Sequence, residues 1–155
     1  MKKLTLSDLA NLAEIIGAVV IVISLVYVGQ ELKENTAAIQ ASSLQSITNA
    51  SSASMLAVVE NGEFAEIRLQ GDRDPSQLSE VERLRYVLYQ RQMWLHFQNI
   101  WTQWQLGVLH DEVWAGYERV ICGDLVRTRA QKSWWRDTHE YALSADFSRL
   151  IDRCH

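Results

Sequence analysis

The chain is poor in everything that interrupts a helix. Its 155 residues include one proline, Pro75, and seven glycines. Outside one apolar run, no stretch alternates apolar and polar residues with the period of two that a half-buried strand requires. These absences exclude a β-rich fold and leave the all-α class. Basic charge is short too: 15 Lys and Arg stand against 19 Asp and Glu, a formal net charge of -4. The arginines are interleaved with acids rather than gathered in a block, so no face is built for a phosphate backbone, and nucleic acid is excluded as a partner. The two cysteines, Cys122 and Cys154, lie far apart, with no CxxC and no histidine at metal-ligand spacing. Neither a zinc site nor a disulfide framework is implied. Both read as free thiols, Cys122 as a small core residue, and a bridge between them would require an oxidising compartment.

Catalytic signatures are missing as well. There is no G-x-S-x-G, no glycine-rich phosphate loop and no pair of carboxylates at pocket spacing. His96, His110 and His139 fall on different expected helices, His155 is terminal, and His139-Glu140 lacks the second histidine of a metalloprotease helix. His96, between Leu95 and Phe97, reads as a half-buried helix residue rather than a general base. The expectation is a protein without enzyme activity, cofactor or metal; any small-molecule ligand is left undefined.

What is present, first, is a long hydrophobic run. From Leu9 to Gly29 the chain is apolar save for a few positions such as Asn11 and Glu14. About 20 such residues in a helix cross the hydrocarbon core of a bilayer. Lys2 and Lys3 before the run resemble the start of a secretory signal. Against removal, Asp8 and Glu14 sit where signals avoid acids, and Gln30 to Asn35 (QELKEN) stands where small residues should mark a cleavage site. The reading is a retained single-pass anchor in residues 1–35, spanning about 9–29 with membrane lipid as its partner, and a helical soluble domain in residues 36–155. A helix buried inside a soluble oligomer is the alternative. Lys2, Lys3 and the terminal amine precede the span, and only Lys33 follows within roughly 15 to 20 residues. This asymmetry favours the N-terminus inside and the domain outside or in the periplasm. Arg68, Arg73, Arg83 and Arg85 further on, and two unpaired thiols, pull the other way.

Glu14 is the position that most needs a reason, since a carboxylate facing lipid costs several kcal/mol. On a helix Glu14, Gly17, Ser24 and Glu31 fall within about 100° of one another, with Ile21 and Val28 between them. Small residues allow close backbone approach, and polar ones supply interhelical hydrogen bonds. Glu14, Gly17, Ile21, Ser24 and Val28 are therefore expected to form the seam of a homo-oligomer. Glu14 itself admits three readings: a group snorkelling to the headgroups, a hydrogen bond inside a helix bundle, or a ring of carboxylates lining a cation-selective pore.

Beyond the span, residues 30–59 keep apolar positions at helical spacing (Leu32, Ile39, Leu44, Ile47, Met55, Leu56, Val59), so the helix is expected to run on. Its Ser- and Ala-rich part, 41–53, has low intrinsic helicity and needs packing partners, or else is a flexible linker. A short helix over 63–69 should end at Gly71, followed by a turn at GDRDPS. Ser79 with Glu82 forms a capping box opening a helix to about Leu106. That helix carries Tyr86, Tyr89, Met93, Phe97, Ile100, Trp101 and Trp104 at spacings of three and four, which reads as core. Asp111 is expected to cap a helix over 112–125 with Val113, Tyr117, Val120 and Ile121 inward and Trp114 one turn away. Two more helices are expected over 128–139 and, capped by Ser144, over 146–153. Trp134 and Trp135 are neighbours about 100° apart on their helix, so one of them is expected to face outward for contact with a partner or the membrane surface.

The residues also carry a resemblance. Ala13 to Gly17 (AEIIG), an aliphatic run, Ser24 to Val28 (SLVYV) and Gln30 to Thr36 (QELKENT) are followed by Asn61 to Gly71, Phe97 to Ile100, Gly107 to Trp114 and the Trp134-Trp135 pair. This order resembles a large group of small bacterial membrane proteins with a Trp-rich helical domain, over nearly the whole chain. The resemblance implies a bacterial inner-membrane protein with a retained N-terminal helix. It brings no assigned activity and no functional residues. The combined expectation is an oligomeric interaction or scaffold module, with a small homo-oligomeric cation channel as the alternative.

Overall fold

A computed structural model describes residues 5–125 and 129–154, with the side chains of 124–130 and 138–141 left out of account. Every regular element among the described residues is helical: α1 (Leu6–Val59), α2 (Gly62–Arg73), α3 (Glu80–Gln105), α4 (Asp111–Val120), α5 (Arg129–Ala142) and α6 (Ala145–Asp152). The chain divides into two compact units, the first ending at Ala41 and the second running from Ser42. The all-α class, with an apolar N-terminal helix and a Trp-rich helical domain, is the observed architecture.

In the first unit α1 opens on a reciprocal cap. The Thr5 backbone N–H and hydroxyl donate to the Asp8 carboxylate (2.9 and 2.7 Å), and the Thr5 hydroxyl accepts from the Asp8 N–H (3.3 Å). Two groups that would otherwise be orphaned at the helix start are thereby satisfied. Nothing in the following run breaks the helix, and within it no residue is covered by the chain.

In the second unit the end of α1 lies along α3. Ser43 donates to the Gln103 side-chain oxygen, Ser51 shares a hydrogen bond with His96 Nε2 (3.0 Å), and Gln92 donates to Ser54 (3.3 Å). Ile47, between these serines, is fully buried. The Ser- and Ala-rich segment is thus helical, not a linker. Its serines bond to α3 side chains and Ile47 is buried between them, which supplies the packing its weak intrinsic propensity needs.

Ends of α2, α4 and α5 differ from the sequence expectation, α5 running on to Ala142 rather than stopping at residue 139. α2, capped by the Asn61 side chain on the Phe64 N–H (3.0 Å), continues through Gly71 to Arg73. Gly71 does not terminate it; an added Cβ there would lie 2.5 Å from the Tyr86 ring, so the glycine admits α3 at close range. The turn follows, with Asp74 accepting from the Ser76 N–H (3.0 Å) ahead of a 3₁₀ turn at Pro75–Gln77. At α4, His110 holds the cap position and Asp111 is the first helical residue, its carboxylate accepting from Trp104 Nε1 at 2.8 Å. α4 then passes into a π-helical turn, Ile121–Leu125. Trp114 and Ile121 are buried and Val120 is 43% exposed, because the inward face is centred on the Trp114 ring stacked on Trp104 (5.2 Å) and Val120 falls at its edge. The capping box at Ser79 and Glu82 is present (2.6–3.4 Å), and α3 is followed, after its cap Leu106, by Gly107, whose φ of +70° suits the glycine.

The core is aromatic. Trp94 is 0% exposed, stacked on Trp134 (5.8 Å, 6°) and touching Trp135 (5.0 Å) and Phe97 (6.2 Å). Ile47, Ile100, Ile121, Phe147 and Ile151 complete the shell, and a smaller cluster forms around Phe64, Ile67 and Tyr86. Trp134 and Trp135 are 7% and 6% exposed. The expectation that one faces outward is corrected: Trp134 stacks on Trp94, while Trp135 turns by one residue's rotation to donate to Asp152 (2.9 Å). α6 supplies a second wall, so both directions are inward.

The cysteines are also corrected. Cys122, in the π-helical turn, and Cys154, just past α6, form a disulfide, with Cα atoms 5.1 Å apart, a separation that a bridge requires.

Candidate functional site

The apolar length of α1 is uncovered. On α1, Glu14, Gly17, Ile21, Ser24 and Val28 are all exposed, and an atom added at Gly17 would meet nothing within 4 Å. The helix brings these five residues onto one stripe, open along its length. The Ser24 hydroxyl donates to the Val20 carbonyl (2.8 Å). Its proton is therefore spent on its own helix, and its oxygen stays available as an acceptor. The aliphatic residues around the stripe are no better covered: Val19 is 51% and Leu25 67% exposed. Among the described residues α1 is the one helix long and apolar enough to cross a membrane.

The interior of the second unit holds a polar chain that the sequence did not reveal. Tyr86 donates to Asp72 (2.8 Å), Gln90 to the Tyr86 oxygen (2.6 Å), Gln131 to Gln90 (2.8 Å) and Trp94 Nε1 to Gln131 (3.2 Å). Burial, then the Asp72 carboxylate, pushes the Tyr86 hydroxyl far above its ordinary range, so it is a fixed donor. Each of these links pairs a donor with an acceptor, which makes the chain a tie between α2, α3 and α5 rather than a reactive centre. Trp94 and Gln90 escaped the sequence reading because a glutamine interrupts the aromatic stripe at the position that leads to Trp94.

Ser51 and His96 form a serine–histidine contact, and burial lowers the imidazole pKa. The pair joins α1 to α3, one turn along α1 from the buried Ile47. Its geometry serves the α1–α3 seam. No group of three or more His, Cys, Asp or Glu side chains suited to a metal exists among the described residues. The His139 side chain lies outside them.

α3 has a second apolar face. Val81, Leu84, Leu88 and Leu95 are exposed, at steps of three, four and seven that keep them on one side of the helix. A helix that is apolar on both sides normally has cover on both.

Comparison with family models, with curated proteins and with solved structures gives no match.

Proposed function

We propose that the chain is a single-pass protein of the bacterial inner membrane whose helical domain acts as an oligomeric interaction module, and that α1 both anchors it and brings copies together. The carrying observation is that the apolar stretch of α1 has no cover from the chain itself. A contiguous apolar surface of that size in water would drive association or precipitation; lipid removes the penalty. Lipid does not drive helices together, so contact between copies depends on close packing and polar groups, and the stripe of Glu14, Gly17, Ile21, Ser24 and Val28 supplies both. The outer ridge of α3 adds a second surface suited to a helical partner.

The test is disulfide cross-linking of single cysteines placed along α1 in lipid, in a background lacking Cys122 and Cys154. Cross-links should recur at Gly17, Ile21, Ser24 and Val28 and be weak at Val19 and Val26; a uniform pattern, or none, removes the seam. Gly17→Leu should disrupt assembly by bulk, and Val19→Leu should not. Cation flux in reconstituted vesicles that Glu14→Gln abolishes without disturbing assembly would replace the scaffold with a pore.

A further inference from the structure

We propose that Cys122 and Cys154 are a modification site: a substrate pair for an extracytoplasmic dithiol oxidase, whose product fixes the second unit on the oxidising side of the membrane. The disulfide joins the π-helical turn after α4 to the second residue past α6. The intervening 32-residue separation contains α5, the helix that carries Trp134 and Trp135. Each cysteine adjoins a buried anchor: Ile121 precedes Cys122 and is fully buried, and Ile151, one turn before Cys154, is 1% exposed. Both thiols are therefore held by the core at bridging distance, and the bond closes the chain around α5. Such a bond persists where thiols are oxidised and is rare where glutathione and thioredoxin keep them reduced.

A second observation agrees independently. Lys2 and Lys3 precede the apolar run, and Lys33 alone follows closely, the asymmetry of a helix whose N-terminus stays inside. An inside N-terminus and a single crossing put Cys122 and Cys154 outside. The membrane-side part of this inference rests on the anchor reading; the oxidation does not.

The chemistry balances by thiol–disulfide exchange. One of the two thiolates attacks a sulfur of the oxidase's disulfide, forming a mixed disulfide and releasing the oxidase's other sulfur as a thiolate. The remaining thiolate of this chain attacks its own partner cysteine in the mixed disulfide and displaces the oxidase. Two electrons and two protons end on the oxidase, now a dithiol, and the Cys122–Cys154 bond has formed.

The experiment uses the full-length chain expressed in bacterial cells with and without their extracytoplasmic dithiol oxidase. Thiols are trapped with acid, the protein is denatured, and free thiols are counted by gel shift with a maleimide polymer. The same cells are fractionated by alkaline carbonate. In oxidase-containing cells the chain should show no shift before reduction and two increments after it, and should stay in the membrane pellet. In oxidase-deficient cells most of it should show two increments without reduction. Cys122→Ser should show one increment without reduction, from Cys154. Two increments without reduction in oxidase-containing cells, from chain in the pellet, would overturn the site and the orientation and leave the anchor standing. A bridged chain released to the supernatant would overturn the anchor and the membrane side and leave the oxidation site standing.

Discussion

Residues 9–29 and the aromatic core around Trp94 are both strongly apolar, yet the chain treats them in opposite ways. In the first, apolar residues are contiguous, so they surround α1 on all sides and no face is left to meet water; all are exposed to whatever surrounds the helix. In the second, apolar residues recur every three or four positions, so each helix offers one face, and helices from distant parts of the chain close over Trp94, Phe147 and Ile121 until none is exposed. The difference teaches that the pattern of hydrophobicity, more than its amount, decides which solvent a helix needs. A spaced pattern finds its cover inside the chain. A contiguous one needs cover from outside it.

The comparison breaks first at Trp94. Trp94→Ala removes a fully buried ring and its contacts with Trp134, Trp135 and Phe97, and should destabilise the second unit by about 3–5 kcal/mol. Chemical unfolding of full-length protein in micelles, followed by near-UV circular dichroism, measures it. Leu25→Ala in the same assay should leave that transition in place, because Leu25 is 67% exposed. Equal losses from both would mean that the apolar helix is part of the core after all.

Gly71→Ala is the next largest. A Cβ at 2.5 Å from the Tyr86 ring must push that ring or α3 aside, at a cost of about 1–3 kcal/mol. Gly17→Ala, on the uncovered helix, has nothing within 4 Å to displace and should leave the same unfolding transition unmoved. A neutral Gly71→Ala would show that α2 and α3 are further apart than described.

The smallest effect is one of pH. Burial lowers the His96 pKa, so the folded state favours the neutral ring and the unfolded chain takes up the proton first as pH falls through about 6.5. Stability from this group is present above that pH and is lost as pH drops below it. His96→Gln keeps a hydrogen-bonding partner for Ser51 and cannot titrate. Its stability should therefore fall less than wild type between pH 7 and pH 5 in denaturant titrations, and an identical slope would put His96 outside the seam.

What was legible in the sequence was what depends on near neighbours. The apolar run, the Ser79–Glu82 box and the Ser144 cap are settled within a few residues, and each stands where the sequence places it. Gly71 was misread because its reason, the Tyr86 ring, lies on the next helix. Cys122 and Cys154 were misread because no spacing rule joins cysteines so far apart. Trp134 and Trp135 do point in different directions, as a helix requires; that both directions are inward depends on where α6 packs, which no local pattern records. Trp94 was overlooked because Gln90, polar and buried, breaks the stripe, and only the tie through Gln131 explains a glutamine there. The stripe on α1 is legible as a pattern, and within the chain nothing covers it.

The central claim is that lipid covers α1 while the second unit covers its own core. Single spin labels placed along α1 in reconstituted bilayers test it most directly, by comparing relaxation by oxygen, which concentrates in lipid, with relaxation by a water-soluble nickel chelate. Labels at Val19, Val22 and Val26 should be reached by oxygen and shielded from nickel, while a label at Met55 should show the reverse. Free access of nickel to Val19 and Val22 would contradict the account.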